Sequence, residues 1–120
     1  MATDEFDQQQ WDKAKAEAKE TLVERAKVRG VIPYSDLVNS INAIKLQAHD
    51  RRLFQLLGEI SSEEDAAGRG MLTVIVVHRS GDMQPGPGFF ELAKQLGKDT
   101  SDILECWVKE VHHVHRYWSK

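Results

Sequence analysis

Apolar and polar positions divide the chain into helical patterns arranged around one uninterrupted apolar run, Met71 to Val77. Five of those seven residues, Thr73 to Val77, are β-branched. Such side chains fit a pleated strand and lose χ1 freedom in a helix. The run does not alternate apolar with polar, so the pattern predicts a buried central strand covered on both faces. His78-Arg79-Ser80-Gly81-Asp82 then predicts a turn, with Gly81 free to take positive φ. Met83-Gln84 is long enough for a short returning strand, so a small antiparallel hairpin is expected. Pro85-Gly86-Pro87-Gly88 follows as a rigid connector, because each proline removes a donor and turns the preceding residue away from helix. A helix is expected after it, with Phe89, Leu92, Ala93 and Leu96 on one face and Gly97 as its stop.

The flanks read as helices. Trp11, Ala14, Ala18, Leu22 and Ala26 form one stripe of a first helix, with Lys13, Glu17, Glu20 and Glu24 largely off it and Gly30 closing it. Val31-Ile32-Pro33 suits a sheet edge, where proline is tolerated. A second helix opens at Tyr34-Ser35-Asp36, with Ser35 a candidate N-cap and Leu37, Val38, Ile41 and Ile44 inward. His49 or Asp50 can cap a third helix with Leu53, Phe54, Leu57 and Ile60 inward and Gly58 allowing close packing. Ser61 to Asp65 reads as an acidic helix end or a new turn. Asp99-Thr100-Ser101-Asp102 starts a closing helix in which Leu104, Trp107, Val111, Val114 and Trp118 share a face. The expectation is an α+β fold: five helices, a small antiparallel hairpin or sheet, and one domain spanning residues 1–120.

Composition narrows the classes. A length of 120 residues suits one domain with a real core. The formal charge is −3, from 16 Lys and Arg against 19 Asp and Glu, whereas a dedicated nucleic-acid binder is usually basic. The single Cys106 excludes an intramolecular disulfide and fits a reducing compartment. No segment reads as a signal peptide or a membrane span, so a cytoplasmic location without membrane contact is expected.

The element order resembles a winged helix. Gly30-Val-Ile-Pro-Tyr-Ser-Asp-Leu37 is similar to the glycine, apolar pair, Thr-Tyr-Gly-Glu-Leu stretch of alkylguanine-DNA alkyltransferases and their alkyltransferase-like relatives. Leu56-Leu57-Gly58 and Val76-Val77-His78-Arg79 echo the same domain. The nucleophile motif of the true enzymes is Pro-Cys-His-Arg. Val76-Val77 precede His78-Arg79 here, so no cysteine stands at that place, and the resemblance implies fold without alkyl transfer. The segment from Gly68 to Gly97, with Trp107 and Trp118, also resembles a family of small bacterial proteins. That resemblance brings no activity with it.

Four constellations are candidates for chemistry. A phosphate loop at Pro85, Gly86, Pro87 and Gly88, with Glu91 beside it, would need Lys-Ser/Thr or three spaced glycines, and neither is there; the same residues can instead border a small-ligand pocket between that loop and the closing helix. Cys106, His112, His113 and His115 are metal-ligand types, but no single helix face collects three of them. Glu59, Glu63, Glu64 and Asp65 form a carboxylate group that reads as a solvated helix end. Lys45, Arg51, Arg52, His78 and Arg79 would contact DNA if helix three and the wing act as in a winged helix. No catalytic residue, metal or cofactor is assigned. The expected role is a protein-interaction or regulatory module, homodimeric or bound to another protein. Weak DNA binding and a small-ligand pocket are the alternatives.

Overall fold

In the computed structural model the residues described are 8–47, 50–78 and 87–119. Among them are five α-helices: α1 Gln8–Lys27, α2 Tyr34–Asn39, α3 Arg51–Ala66, α4 Pro87–Gln95 and α5 Ile103–Trp118. Two short strands, β1 Ile32–Pro33 and β2 Val76–Val77, complete an α+β arrangement. The strands pair parallel, with Ile32 beside Val76 and Pro33 beside Val77. The expected antiparallel pairing is therefore corrected for the described sheet. The chain between β1 and β2 passes through α2 and α3, and a helical crossover of that kind returns a strand in parallel. The predicted turn and returning strand, residues 79–84, lie outside the described residues.

The apolar run is buried as expected, but most of it is not a strand. Leu72–Ile75 forms a 3-10 helix, and only Val76–Val77 is extended. Every residue from Met71 to Val77 is buried. Side chains from neighbouring helices supply hydrogen bonds that a sheet partner would otherwise give. Glu110 accepts from the Met71 backbone N–H at 2.8 Å, and the Ser61 hydroxyl accepts from Thr73 N–H at 3.1 Å. The Trp107 indole donates to the Val74 carbonyl at 3.1 Å. With these backbone groups satisfied, the β preference of the side chains is overridden by tertiary context.

α1 buries the five residues read from its stripe, and its alanines let neighbouring elements approach closely. Glu17, placed off the stripe, accepts from the backbone N–H groups of Asn42 and Ala43 at 2.9 Å each. The helix does not stop on Gly30: Arg29 takes the left-handed conformation, φ 56°. Gly30 serves a different purpose, since a Cβ there would lie 2.8 Å from Arg25 Cδ. Arg25 crosses it to donate to the Val31 carbonyl at 2.7 Å.

Three further expectations are revised. Ser35 lies inside α2, whose N-cap is Pro33, and α2 ends at Asn39; Ile41 and Ile44 are buried from the irregular segment beyond it. α3 is capped by Asp50, which accepts from Arg52 N–H at 2.8 Å; it buries Leu56 but leaves Phe54 47% exposed. On α5, capped by Asp102, Val114 is buried and Trp107, Val111 and Trp118 pack against the core as expected, but Leu104 is 55% exposed, and Cys106, Glu110 and His115 are buried in addition.

Candidate functional site

A cleft of about 410 Å³ opens between α2, α3, α4 and the residues that follow β2. α3 contributes Phe54, Leu57 and Gly58 to its wall, and α4 contributes Phe89 and Leu92. Tyr34 at the start of α2 and Thr73 of the 3-10 helix reach it from the core side. Pro87, Gly88, His78, Glu91 and Gln95 complete the lining; all five are exposed, so they stand at the rim. The size falls within the range of small-molecule sites, as does the mixture of apolar walls with a few polar groups.

Local sequence explains the shape. Phe54 sits about one helical step off the Leu53, Leu57, Ile60 stripe, which points it toward α4 rather than into the core. The Tyr34 ring stands at 87° to Phe54, centroids 6.0 Å apart, and at 43° to His78, centroids 5.1 Å apart. Gly58 is an interior helix residue, where glycine costs about 1 kcal/mol relative to alanine. Nothing in the fold forces that cost: the nearest atom to an added Cβ is Leu92 Cδ2 at 3.9 Å. What the missing side chain leaves open is the wall of the cleft.

The sequence-derived candidates divide between places. His78, Pro87, Gly88 and Glu91 meet in this cleft, but the pocket expected between the loop and the closing helix is corrected: α2, α3 and α4 wall it, and no described α5 residue lines it. Pro85, Gly86 and Arg79 lie outside the described residues. Lys45 and Arg51 are exposed, Lys45 on the irregular segment before α3 and Arg51 at the start of that helix. Arg52 folds back on Asp50, donating from Nη2 at 2.8 Å and Nε at 3.1 Å. Its charge is therefore matched beside the helix start. Tyr34, Phe54, Leu57, Gly58, Thr73, Phe89, Leu92 and Gln95 were missed as site residues. Their only sequence signal was one aromatic and one glycine misplaced on the α3 stripe.

The carboxylate group is an internal ion network. Glu59 accepts from the Trp11 indole at 2.9 Å and from Lys15 at 3.2 Å; Lys15 also meets Glu63 at 2.7 Å. Glu64, only 2% exposed, is held by Arg69 at 2.7 and 2.8 Å and by Lys19 at 2.9 Å. Lys98 reaches Asp65 at 2.7 Å. The Arg69 hydrogen bonds, opposed by burial and aided by Lys19, hold the Glu64 carboxyl below the usual range. Burial pushes the Glu59 carboxyl up, but the Trp11 and Lys15 hydrogen bonds outweigh it and hold it low.

The α5 candidates are separate as well. His115 is buried and donates from Nε2 to the Gly30 carbonyl at 2.9 Å, clamping α5 to the end of α1. His113 Nδ1 stands 4.0 Å from Glu110, and His112 is exposed. Burial, followed by the nearby Glu110 charge, raises the Cys106 thiol pKa, which disfavours the thiolate. Among the described residues, no group of three or more His, Cys, Asp or Glu is arranged to hold a metal ion. Nor is any described helix long and apolar enough to cross a membrane. No family model, curated protein or solved structure matches the chain.

Proposed function

We propose that this protein is a small-ligand binding module whose site is the cleft between α2, α3 and α4. The observation that carries the reading is Gly58. A glycine inside a 16-residue helix, where an added Cβ would lie 3.9 Å from Leu92 Cδ2, borders a cleft of about 410 Å³. Filling that position tests it. Indole, a neutral aromatic probe, should bind saturably, shifting the NMR signals of the Leu57 and Leu92 methyl groups and the Gly58 amide. Gly58→Leu should abolish those shifts while the protein stays folded. Absence of saturable binding by neutral, cationic and anionic fragments at millimolar concentration would remove the proposal, as would retention of full binding in the leucine variant.

The order α1, β1, α2, α3, β2 supports a winged-helix-like scaffold for the module, and the parallel register of β1 with β2 counts against it. Duplex binding has less support than the cleft: Arg52 is engaged by Asp50, and the His78 ring lies tilted against Tyr34 at the cleft rim. The interaction-module reading, in its homodimer form, has one observation in its favour. Leu104 and Val108, one turn apart on the same face of α5, are 55% and 37% exposed, and Ile103 at the start of the helix is 50% exposed. Self-association through them predicts a concentration-dependent mass that Leu104→Glu returns to the monomer value. A monomer mass at millimolar concentration excludes it.

A further inference from the structure

The chemistry of the cleft points beyond an unspecified apolar guest. Three carbocyclic rings line it, Tyr34, Phe54 and Phe89, with the His78 imidazole beside them. The Tyr34 and Phe54 planes differ by 87° and the Tyr34 and His78 planes by 43°, so the ring faces point along several directions. Each aromatic face carries the negative end of a quadrupole and attracts a cation brought within about 6 Å of it. Glu91 is a lining carboxylate, and among the described residues no Lys or Arg lines the cleft. Apolar walls, several π faces and one rim carboxylate suit a guest that is positively charged but poorly hydrated. A hard, small cation would lose more hydration than these walls return, whereas an alkylated ammonium spreads its charge over methyl groups.

On this basis, and resting on the cleft being a ligand site, we propose that it selects organic ammonium ions, of the trimethylammonium type, over neutral and anionic guests. Among the described residues Arg51 is an opposing charge: it is exposed on α3, one turn before Phe54, and it does not line the cleft. Its field opposes a cationic guest in the cleft, most strongly at the outer edge.

The protein is titrated at constant ionic strength with choline, its neutral isostere 3,3-dimethylbutan-1-ol, benzoate and indole, following the same Leu57, Leu92 and Gly58 signals. Choline should bind about fivefold or more tighter than the isostere, the size of a cation–π preference at a partly desolvated site. Glu91→Gln should reduce that ratio by about two- to fivefold, as expected for one charge at a rim, with the affinity for the isostere unchanged. Phe54→Leu, which keeps an apolar wall without a π face, should reduce the ratio further. Arg51→Ala should tighten choline and weaken benzoate. An isostere that binds as tightly as choline, or benzoate that binds tighter, overturns the charge selectivity. If indole still binds in either case, the ligand-cleft reading stands; if none of the four probes binds, both fall.

Discussion

Arg29 holds φ 56° at the end of α1, one position before a glycine that could not replace it in that role. A left-handed non-glycine residue costs about 1–2 kcal/mol. Replacing it by glycine adds about 0.4–1 kcal/mol of chain entropy to the unfolded state. Arg29→Gly should therefore stabilise the protein by about 0.5 kcal/mol or slightly more, the balance of those two effects, read as a higher urea midpoint at unchanged slope. Gly70 is the opposite case. It sits at φ 90°, and an added Cβ would lie 3.1 Å from Val114 Cγ2 and 3.3 Å from both Glu110 Oε2 and His113 Cγ. Gly70→Ala should cost about 2 kcal/mol, combining backbone strain with displacement of α5. A urea midpoint equal to that of the parent would show that the contact is not as tight as described.

At the scale of elements, α3, α5 and the 3-10 helix stand or fall together. The Met71 N–H ends on Glu110, Thr73 N–H on Ser61, and the Val74 carbonyl on Trp107. Removing a side-chain acceptor leaves a buried backbone donor unsatisfied, at about 1–3 kcal/mol. Glu110→Ala should therefore destabilise by about that amount, and Glu110→Gln, which keeps an acceptor oxygen, by clearly less. Equal losses in the two variants would show that charge rather than acceptor capacity matters at this position. Hydrogen exchange gives a second reading: Met71 and Thr73 amides should be protected alongside the α3 core. The same network explains the misread strand. The β-branched run announces burial, but whether its backbone pairs with a strand or with side chains depends on Ser61, Trp107 and Glu110. Trp107 and Glu110 are more than 30 residues away in sequence, and nothing in the local pattern marks them.

For the whole molecule, the ion network around the end of α3 links stability to pH. Both Glu59 and Glu64 titrate below an unperturbed carboxyl. A carboxyl depressed in the folded state contributes its full stabilisation above the unfolded pKa, about 4.3 for Glu. That contribution is lost as pH falls from there through the folded values. Stability should hold its plateau, as far as these two groups set it, down to about pH 4.3 and decline below it. Glu64→Gln should flatten the acid limb while lowering the plateau. If the variant keeps the parent's acid limb, Glu64 is not the group responsible. The network also turns an acidic stretch, which on paper resembles a carboxylate site, into a fastening between α3, α1 and the segment after Gly68.

The chain by itself determined what local periodicity and composition can carry. It fixed the five-residue stripe of α1, the start of α5 within Asp99 to Asp102, the burial of Met71 to Val77 and the five helices among the described residues. These follow from side-chain spacing and caps, which act within a few residues. It also drew attention to Pro87, Gly88, Glu91 and His78, but as separate features of a loop and a wing. Tertiary structure alone decided that these four share a cleft with Tyr34, Phe54 and Gly58. It alone decided that β1 meets β2 in parallel, and that the acidic residues of α3 are already matched. Each of those outcomes depends on which distant elements come into register, and a one-dimensional pattern of apolar and polar positions does not contain that information.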